Sequence, residues 1–258
     1  MSCNEVSSVK KSLNRIAILL LVLLLLGCGN TTETNDRVES LDSPAATHAL
    51  GQIYLYGERH GANSCLIMEL RYWKQHYDEG MRDLFVELPY YSAQFLNLWM
   101  LEDDDEILDA LFEDWEGTAA HSQRVYDFYK QLKQDCPETV FHGIDVGHGY
   151  ASTGERYLQY LSEHGYSEDS EEYHLTLRSI DQGKEWAQER NHAWRENTMA
   201  ENFILEYERL NGADVMGIFG AAHTEIGALN VTGETPSFAS QLYQQFGDAV
   251  HSQDLIAR

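Results

Sequence analysis

Residues 52–61, QIYLYGERHG, and residues 214–223, DVMGIFGAAH, decide the fold. In each stretch a short apolar run ends at a glycine, and a histidine follows three positions after that glycine. Short apolar runs of this kind are typical of strands that are buried on both faces of a parallel sheet. The two stretches therefore predict buried strands, with chemically useful side chains at the point where each strand ends.

Outward from these stretches, the chain alternates short apolar runs with longer segments of helical periodicity. Strands are predicted at 52–56, 83–88, 139–144 and 214–219, with a further strand near Leu255. Helices are predicted at 63–79, 92–115, 119–135, 184–210 and 238–246. Strands that alternate with helices pair mainly in parallel, through right-handed crossovers. The expected fold class is α/β, with a central, mainly parallel sheet flanked by helices.

The composition excludes several classes of protein. The chain has 258 residues and a formal net charge of −24, so it lacks the positive surface that binding to nucleic acid requires. Its hydrophobic content of 43% is too high for a disordered chain. Only 4 of its residues are cysteine, which is too few for a disulfide scaffold. A single globular domain with a sizeable core remains.

The first residues of the chain resemble an export signal. Lys10, Lys11 and Arg15 precede an unbroken apolar run of eleven residues, 16–26. Such a run is typical of a signal peptide and is too short for a helix that spans a hydrocarbon core of about 30 Å. It leads into residues 25–28, LLGC, which resemble the bacterial lipobox, in which cleavage precedes a cysteine that then receives a lipid.

This resemblance implies that residues 1–27 are a lipoprotein signal peptide and that Cys28 is lipidated. Residues 28–50 are polar and read as a flexible tether, which leaves 51–258 as a single α/β domain. We expect an exported, membrane-anchored lipoprotein, at the outer membrane because Gly29 and not aspartate follows Cys28. The alternatives are a signal anchor, or an ordinary signal peptide in which Cys28 has no role.

Export would leave Cys65 and Cys136 in an oxidising compartment, where two cysteines can pair. The sequence gives no distance between them, so two unpaired cysteines are an equal alternative. A nucleophilic Cys65 is a third interpretation, but no partner motif accompanies it.

Polar residues follow all four of the main predicted strands. Glu58 and His60 follow the first, Glu87 ends the second, Asp145 and His148 follow the third, and His223 follows the fourth. In an open parallel sheet, ligands bind outside the carboxyl ends of the strands. The sequence therefore predicts a functional site at that edge of the sheet.

The predicted helix 184–210 adds Arg195, whose helical face it shares with Asn191, Met199 and Asn202. An arginine on a helix that packs against a sheet needs an anionic partner. One interpretation is an internal salt bridge to Glu58, Glu87 or Asp145. The other is that Arg195 orients a catalytic carboxylate or stabilises an oxyanion.

These residues together resemble the superfamily that includes Tiki/TraB, erythromycin esterase-like and ChaN-like proteins. The resemblance depends on the two Gly-x-x-His motifs, 57–60 and 220–223, on Glu87 between them, and on Arg195 followed by Met199. It covers residues 51–225, and its specificity comes from the order and spacing of short motifs. It implies the same α/β fold and a site at the carboxyl ends of the strands.

The resemblance implies two kinds of function. The first is a membrane-anchored hydrolase of a peptide or ester bond in a peptide or small molecule, with Glu58, His60, Glu87, Arg195 and His223 as catalytic residues. A divalent metal (Mn, Co or Zn) would be held by His60, Glu87 and His223. In a metal-free version, His60 would activate water while Glu58 or Glu87 orients it. The absence of a Gly-x-Ser-x-Gly motif argues against a serine hydrolase.

The second kind of function is haem binding by a ChaN-like lipoprotein without catalysis. A histidine or tyrosine at the strand ends would supply the axial ligand. Tyr90, Tyr91, Asp145 and His148 are the candidate cofactor-binding residues, because they lie at or after the predicted strand ends. The sequence leaves the substrate and the oligomeric state open.

Overall fold

The computed structural model describes residues 50–256. The predicted signal peptide, Cys28 and all but the last residue of the tether lie outside the described residues. No helix within 50–256 is both long and apolar enough to cross a membrane. Cys65 and Cys136 are buried and each is a free thiol, so the predicted alternative of a disulfide between them is wrong.

Five parallel strands form the centre of the fold, in the spatial order β3-β2-β4-β1-β5. The strands are β1 (Ile53–Glu58), β2 (Asp83–Val86), β3 (Val140–Gly143), β4 (Val215–Gly220) and β5 (Val250–Asp254). The predicted α/β class with a parallel sheet is confirmed. The predicted strand near Leu255 is β5, which pairs with β1 at one edge of the sheet.

Helices connect the strands. They are α1 (Asn63–Asp78), α2 (Tyr90–Met100), α3 (Glu106–Asp114), α4 (Gln123–Asp135), α5 (Glu155–Glu163), α6 (Glu171–Glu189), α7 (His192–Arg209), α8 (Ala221–Thr224) and α9 (Phe238–Phe246). A single π turn, Tyr150–Gly154, precedes α5, and a 3-10 turn, Gly247–Ala249, precedes β5.

Successive strand residues point to opposite faces of the sheet, and each face has its own apolar cluster. Leu84 and Val86 belong to one cluster, whereas Phe85 between them belongs to the other. The first cluster also contains Trp73 of α1 and Trp99 of α2, and the second contains Phe203 of α7 and Phe238 of α9. Because both faces are covered, the central strands β1, β2 and β4 are mainly apolar, and the edge formed by the carboxyl ends of the strands is left for polar residues.

Two predicted helices are each divided in the structure. Segment 92–115 divides into α2 and α3, which are separated by residues 101–105. Within this turn, Asp104 Oδ1 accepts a hydrogen bond from the backbone N–H of Glu106. Segment 184–210 divides into α6 and α7. Arg190 has a φ of 49°, and the side chain of Asn191 caps α7 by accepting from the backbone N–H of Trp194. Asn191 is therefore a capping residue and not part of the face of α7 that carries Arg195.

Candidate active site

The strand order brings the predicted polar residues together. β3, β2, β4 and β1 are neighbours in the sheet, so the residues that follow them share one edge. Glu87 lies at the centre of this edge, directly after β2. Its Oε2 accepts a hydrogen bond of 2.7 Å from the backbone N–H of Gly220 at the end of β4. A Cβ atom on residue 220 would lie 3.2 Å from His60 Nε2 and 3.3 Å from Glu87 Oε2, so glycine allows this close approach.

Arg195 is held by two carboxylates. Its Nε and Nη2 donate to the two oxygens of Asp145 at 2.8 and 2.7 Å, and Nη2 also donates to Glu87 Oε1 at 2.7 Å. Of the predicted partners, Asp145 and Glu87 therefore bind Arg195. Burial alone would lower the pKa of Arg195, but these two carboxylates outweigh it and raise the pKa. The guanidinium is permanently charged and rigidly placed.

The pKa of Glu87 is lowered by the positive charges around it. Burial would raise the pKa of its carboxyl group, but the positive charges of His223, Arg195 and His60 outweigh burial and lower it. Glu87 is therefore ionised at neutral pH, and both of its oxygens already accept hydrogen bonds.

His223 lies on α8 and is buried behind this ion pair. Its Nδ1 is 2.7 Å from Glu196 Oε2, and its Nε2 is 3.4 Å from Arg195 Nη1 and 3.6 Å from Glu87 Oε1. Burial would lower the pKa of His223, but the hydrogen bond with Glu196 outweighs it and raises the pKa. Glu196 also accepts from the backbone N–H of Phe238, at 2.6 Å. Glu196 was not predicted as a site residue, because no motif in the sequence distinguishes it from solvated acids on helices.

His60 is the more accessible of the two motif histidines. Its side chain is 52% exposed, its Nδ1 contacts Glu58 Oε1, and its Nε2 is 3.8 Å from Glu87 Oε1. The hydrogen bond with Glu58 raises the pKa of His60 to about 9, against the opposing effect of burial. His60 therefore carries a proton at neutral pH.

The polar edge opens into a cavity of about 420 Å³. Its apolar walls include Leu66, Val86, Trp115, Val125, Phe128 and Tyr129. The ionisable residues that line it are Glu58, His60, Glu69, Glu87, Asp145, His148 and Arg195. This combination of apolar walls with a few convergent polar groups is typical of a small-molecule site. His223 is not among the lining residues, so its contact with the site runs through Glu87 and Arg195.

One acid in this cavity, Glu69 of α1, was not predicted. It is 3% exposed, and its Oε1 is buried without a hydrogen-bond partner, as is Oε2 of Glu58. Burial, followed by the nearby charge of Glu58, raises the pKa of Glu69 to about 8. One feature of the sequence could have indicated its burial. At helical spacing, Glu69 lies on the same side of α1 as Cys65, Trp73 and His76, which are also buried.

The predicted cofactor-binding residues are separated in the structure. Tyr91 is fully buried, and its hydroxyl donates to the backbone carbonyl of His148 at 2.8 Å. Tyr90 packs edge-on against Tyr157, with 6.4 Å between the ring centroids. The two tyrosines therefore support the fold and do not line the cavity. Asp145 and His148 do line it, and His148 is 57% exposed, with its Nε2 3.8 Å from Asp145 Oδ2.

The predicted metal ligands His60, Glu87 and His223 lie close together but do not form an open ligand set. Among residues 50–256, no group of three or more His, Cys, Asp or Glu side chains could hold a metal ion. Both oxygens of Glu87 accept other hydrogen bonds, and the guanidinium of Arg195 lies beside His223 Nε2. A cation placed here would be repelled by Arg195, so these residues as arranged do not fit a divalent metal.

No protein-family model matches the sequence. No curated protein matches it. Solved structures do share its fold. A Bacillus cereus protein matches with a TM-score of 0.54 and 12% identity, over 80% of this chain and 66% of that one. A succinoglycan biosynthesis protein matches with a TM-score of 0.55 and 13% identity, over 78% and 65%.

A mutant of the erythromycin esterase EreC, in its open conformation, matches with a TM-score of 0.56 and 8% identity, over 79% of this chain and 69% of that chain. At these identities the likeness establishes a common fold. The chain spans about two thirds of the length of each of the three proteins.

Proposed function

We propose that the protein is a hydrolase that cleaves an ester or peptide bond in a small molecule or peptide, as a divergent member of the superfamily named above. One observation carries the proposal. His60, held by Glu58, lies at the polar end of an apolar cavity that also exposes the carboxylate-bound guanidinium of Arg195. A proton-transfer group and a fixed cation beside an apolar binding space are the components that acyl transfer to water requires. The fold shared with an erythromycin esterase supports the same class.

The contacts suggest a role for each residue. Arg195 is fixed by Asp145 and Glu87, so it stabilises the negative charge that develops on the carbonyl oxygen without having to reorganise. His60 is protonated at neutral pH and donates its proton to the leaving group. Glu58 orients His60, and His223 with Glu196 supports Arg195 and Glu87 from behind. No step in this scheme uses a metal.

The test is hydrolysis of p-nitrophenyl and alkyl esters of increasing acyl length by the purified full-length protein. On the alkyl esters, whose alkoxide leaving group needs a proton, we expect His60→Ala to lower kcat/KM by about 100-fold or more, the usual contribution of a proton-transfer group. His174→Ala is the matched control, since His174 is exposed on α6, and it should retain full activity. If His60→Ala and His174→Ala are equally active, or if no ester or peptide is cleaved by the unaltered protein, the proposal is wrong.

We also propose that the protein acts outside the cytoplasm, attached to the outer membrane through a lipid on Cys28. The sequence of residues 25–28 supports this. Metabolic labelling with a fatty acid and membrane fractionation test it. Cys28→Ser should abolish both labelling and membrane association, whereas Cys65→Ser, at a buried thiol of the domain, should change neither.

Haem binding without catalysis is the second candidate. The observation that favours it is the exposed imidazole of His148 beside apolar cavity walls. Titration with haem distinguishes the two functions. A shifted Soret band at one haem per chain, lost in His148→Ala and accompanied by no hydrolysis, would support the binder. Metal analysis of the same preparation tests the predicted divalent metal.

A further inference from the structure

The carboxylates that line the cavity differ in their partners. Glu58 contacts the imidazole of His60, and Glu87 and Asp145 bind the guanidinium of Arg195. Glu69 differs from all three. Among residues 50–256 its carboxyl group makes no hydrogen bond and no ion pair, although it is 3% exposed and lines the same cavity.

A buried carboxyl group without a partner is unfavourable for folding, because its desolvation is not offset by a hydrogen bond. Such a group is suited to chemistry, since its lone pairs are free to accept a proton. The two carboxylates that the sequence predicts for water activation have less of this freedom, since only Oε2 of Glu58 lacks a hydrogen-bond partner. Oε1 of Glu58 faces His60, and both oxygens of Glu87 accept other hydrogen bonds.

We propose that Glu69 is the general base of the hydrolysis, taking a proton from the attacking water while His60 supplies a proton to the leaving group. This inference depends on the proposed function and adds a catalytic residue to the same site. It assigns the base to a helix residue outside the two Gly-x-x-His motifs.

The proposed step consumes one water molecule and leaves the protonation of the site unchanged. Water donates one proton to the Glu69 carboxylate, and its oxygen forms a bond to the acyl carbon. The bond between the acyl carbon and the leaving oxygen or nitrogen breaks, and the leaving atom takes the proton of the His60 imidazolium. The products are a carboxylic acid and an alcohol or amine. The proton on Glu69 then returns to His60, directly or through water, and this restores the initial state.

The surroundings of Glu69 set its strength as a base. The titratable groups that face it are Glu58 at the end of β1, His60 after that strand and Tyr129 of α4. Burial and the charge of Glu58 raise the pKa of Glu69 to about 8, while His60 acts in the opposite direction. A carboxylate with this pKa is a far stronger base than Glu87, and it is ionised in the pH range where His60 still holds its proton.

Two variants of Glu69 test the proposal. Glu69→Gln keeps the size of the side chain but cannot accept the proton, and it should lower kcat on an ester substrate by about 100-fold with little change in KM. Glu69→Ala opens space beside the reacting water, so added formate or azide should restore part of its activity. Glu116→Gln, at an exposed position after α3, is the matched control and should behave as the unaltered protein.

The pH profile gives a readout that a purely structural role would not produce. With the unaltered protein, kcat should rise with pH up to about 8 and fall above about 9. The acidic limb should be missing from the residual activity of Glu69→Gln. Full activity of Glu69→Gln, or an unchanged acidic limb together with no rescue of Glu69→Ala, would overturn the assignment. In both outcomes His60-dependent hydrolysis would remain, so the failure would be distinct from failure of the proposed function.

Discussion

The buried carboxyl group of Glu69 makes the stability of the protein depend on pH, and one substitution removes that dependence. An acid whose pKa is higher in the folded than in the unfolded state binds its proton more tightly when folded. The folded state therefore loses stability as the pH rises above the unfolded value. For Glu69 the loss begins near its ordinary pKa of 4.5 and is complete above about 8. Glu69→Gln is neutral throughout this range and lacks the loss.

The size of the effect follows from the shift. The difference between 4.5 and about 8 corresponds to roughly 5 kcal/mol, at about 1.4 kcal/mol per pKa unit. Glu69 is 3% exposed, so solvent screens its charge very little. The free energy of unfolding of Glu69→Gln minus that of the unaltered protein should therefore rise by roughly 3–5 kcal/mol from pH 4.5 to pH 9.

Urea unfolding, followed by the fluorescence of the 5 tryptophans, measures this gain at several pH values. The difference between Glu69→Gln and the unaltered protein removes the titration of all other groups that the substitution leaves unchanged. Glu116→Gln should show a difference near zero at every pH. If the difference for Glu69→Gln changes by less than about 1 kcal/mol over the range, Glu69 ionises near its ordinary pKa. The reason given for its strength as a base would then be refuted.

Three further substitutions have expected effects on stability that urea unfolding also measures. Arg195→Leu leaves the carboxylates of Glu87 and Asp145 buried without their cation, and it should cost about 3–5 kcal/mol. His142, buried on β3, forms hydrogen bonds with Asp83 and Glu206. Burial alone would lower the pKa of His142, but these two carboxylates outweigh burial and raise it. The protonated imidazole of His142 therefore stabilises the folded protein fully below the ordinary pKa of 6.5, and this stabilisation is lost as the pH rises through the pKa of His142 in the folded state. The advantage of the unaltered protein over His142→Gln should thus be greatest in acid. Leu84→Ala, at a fully buried position on β2, should cost about 2–5 kcal/mol at all pH values.

The fold could be predicted from the sequence because its strands are short and apolar on both faces. Residues 52–56 and 214–219 contribute side chains to both apolar clusters, and such runs have few structural alternatives. The helix boundaries were less predictable. The break after α6 coincides with the capping side chain of Asn191, and the break after α2 with the turn in which Asp104 binds the backbone N–H of Glu106. Both breaks occur within segments whose apolar periodicity continues across them.

The site was predictable only where a residue follows a strand. Glu87, Asp145, His60 and His223 come together because the sheet aligns the strand ends. Glu69 and Glu196 lie on helices, where a glutamate is most often solvated. Their burial depends on how α1 and α7 pack against the rest of the protein, and a single sequence does not specify this packing.

Charge pairing in the site leaves one carboxyl group of the cavity, that of Glu69, without a charged partner. Glu58 fixes His60, and Asp145 with Glu87 fixes Arg195. A cavity in which every carboxylate were paired in this way would hold its cations firmly but contain no base of useful strength near neutral pH. If Glu69 and His60 act in the same proton-transfer step, the combined rate loss in Glu69→Gln with His60→Ala should be much smaller than the product of the two single losses. Losses that multiply would place the two residues in different steps, and would require a second base for the step in which His60 acts.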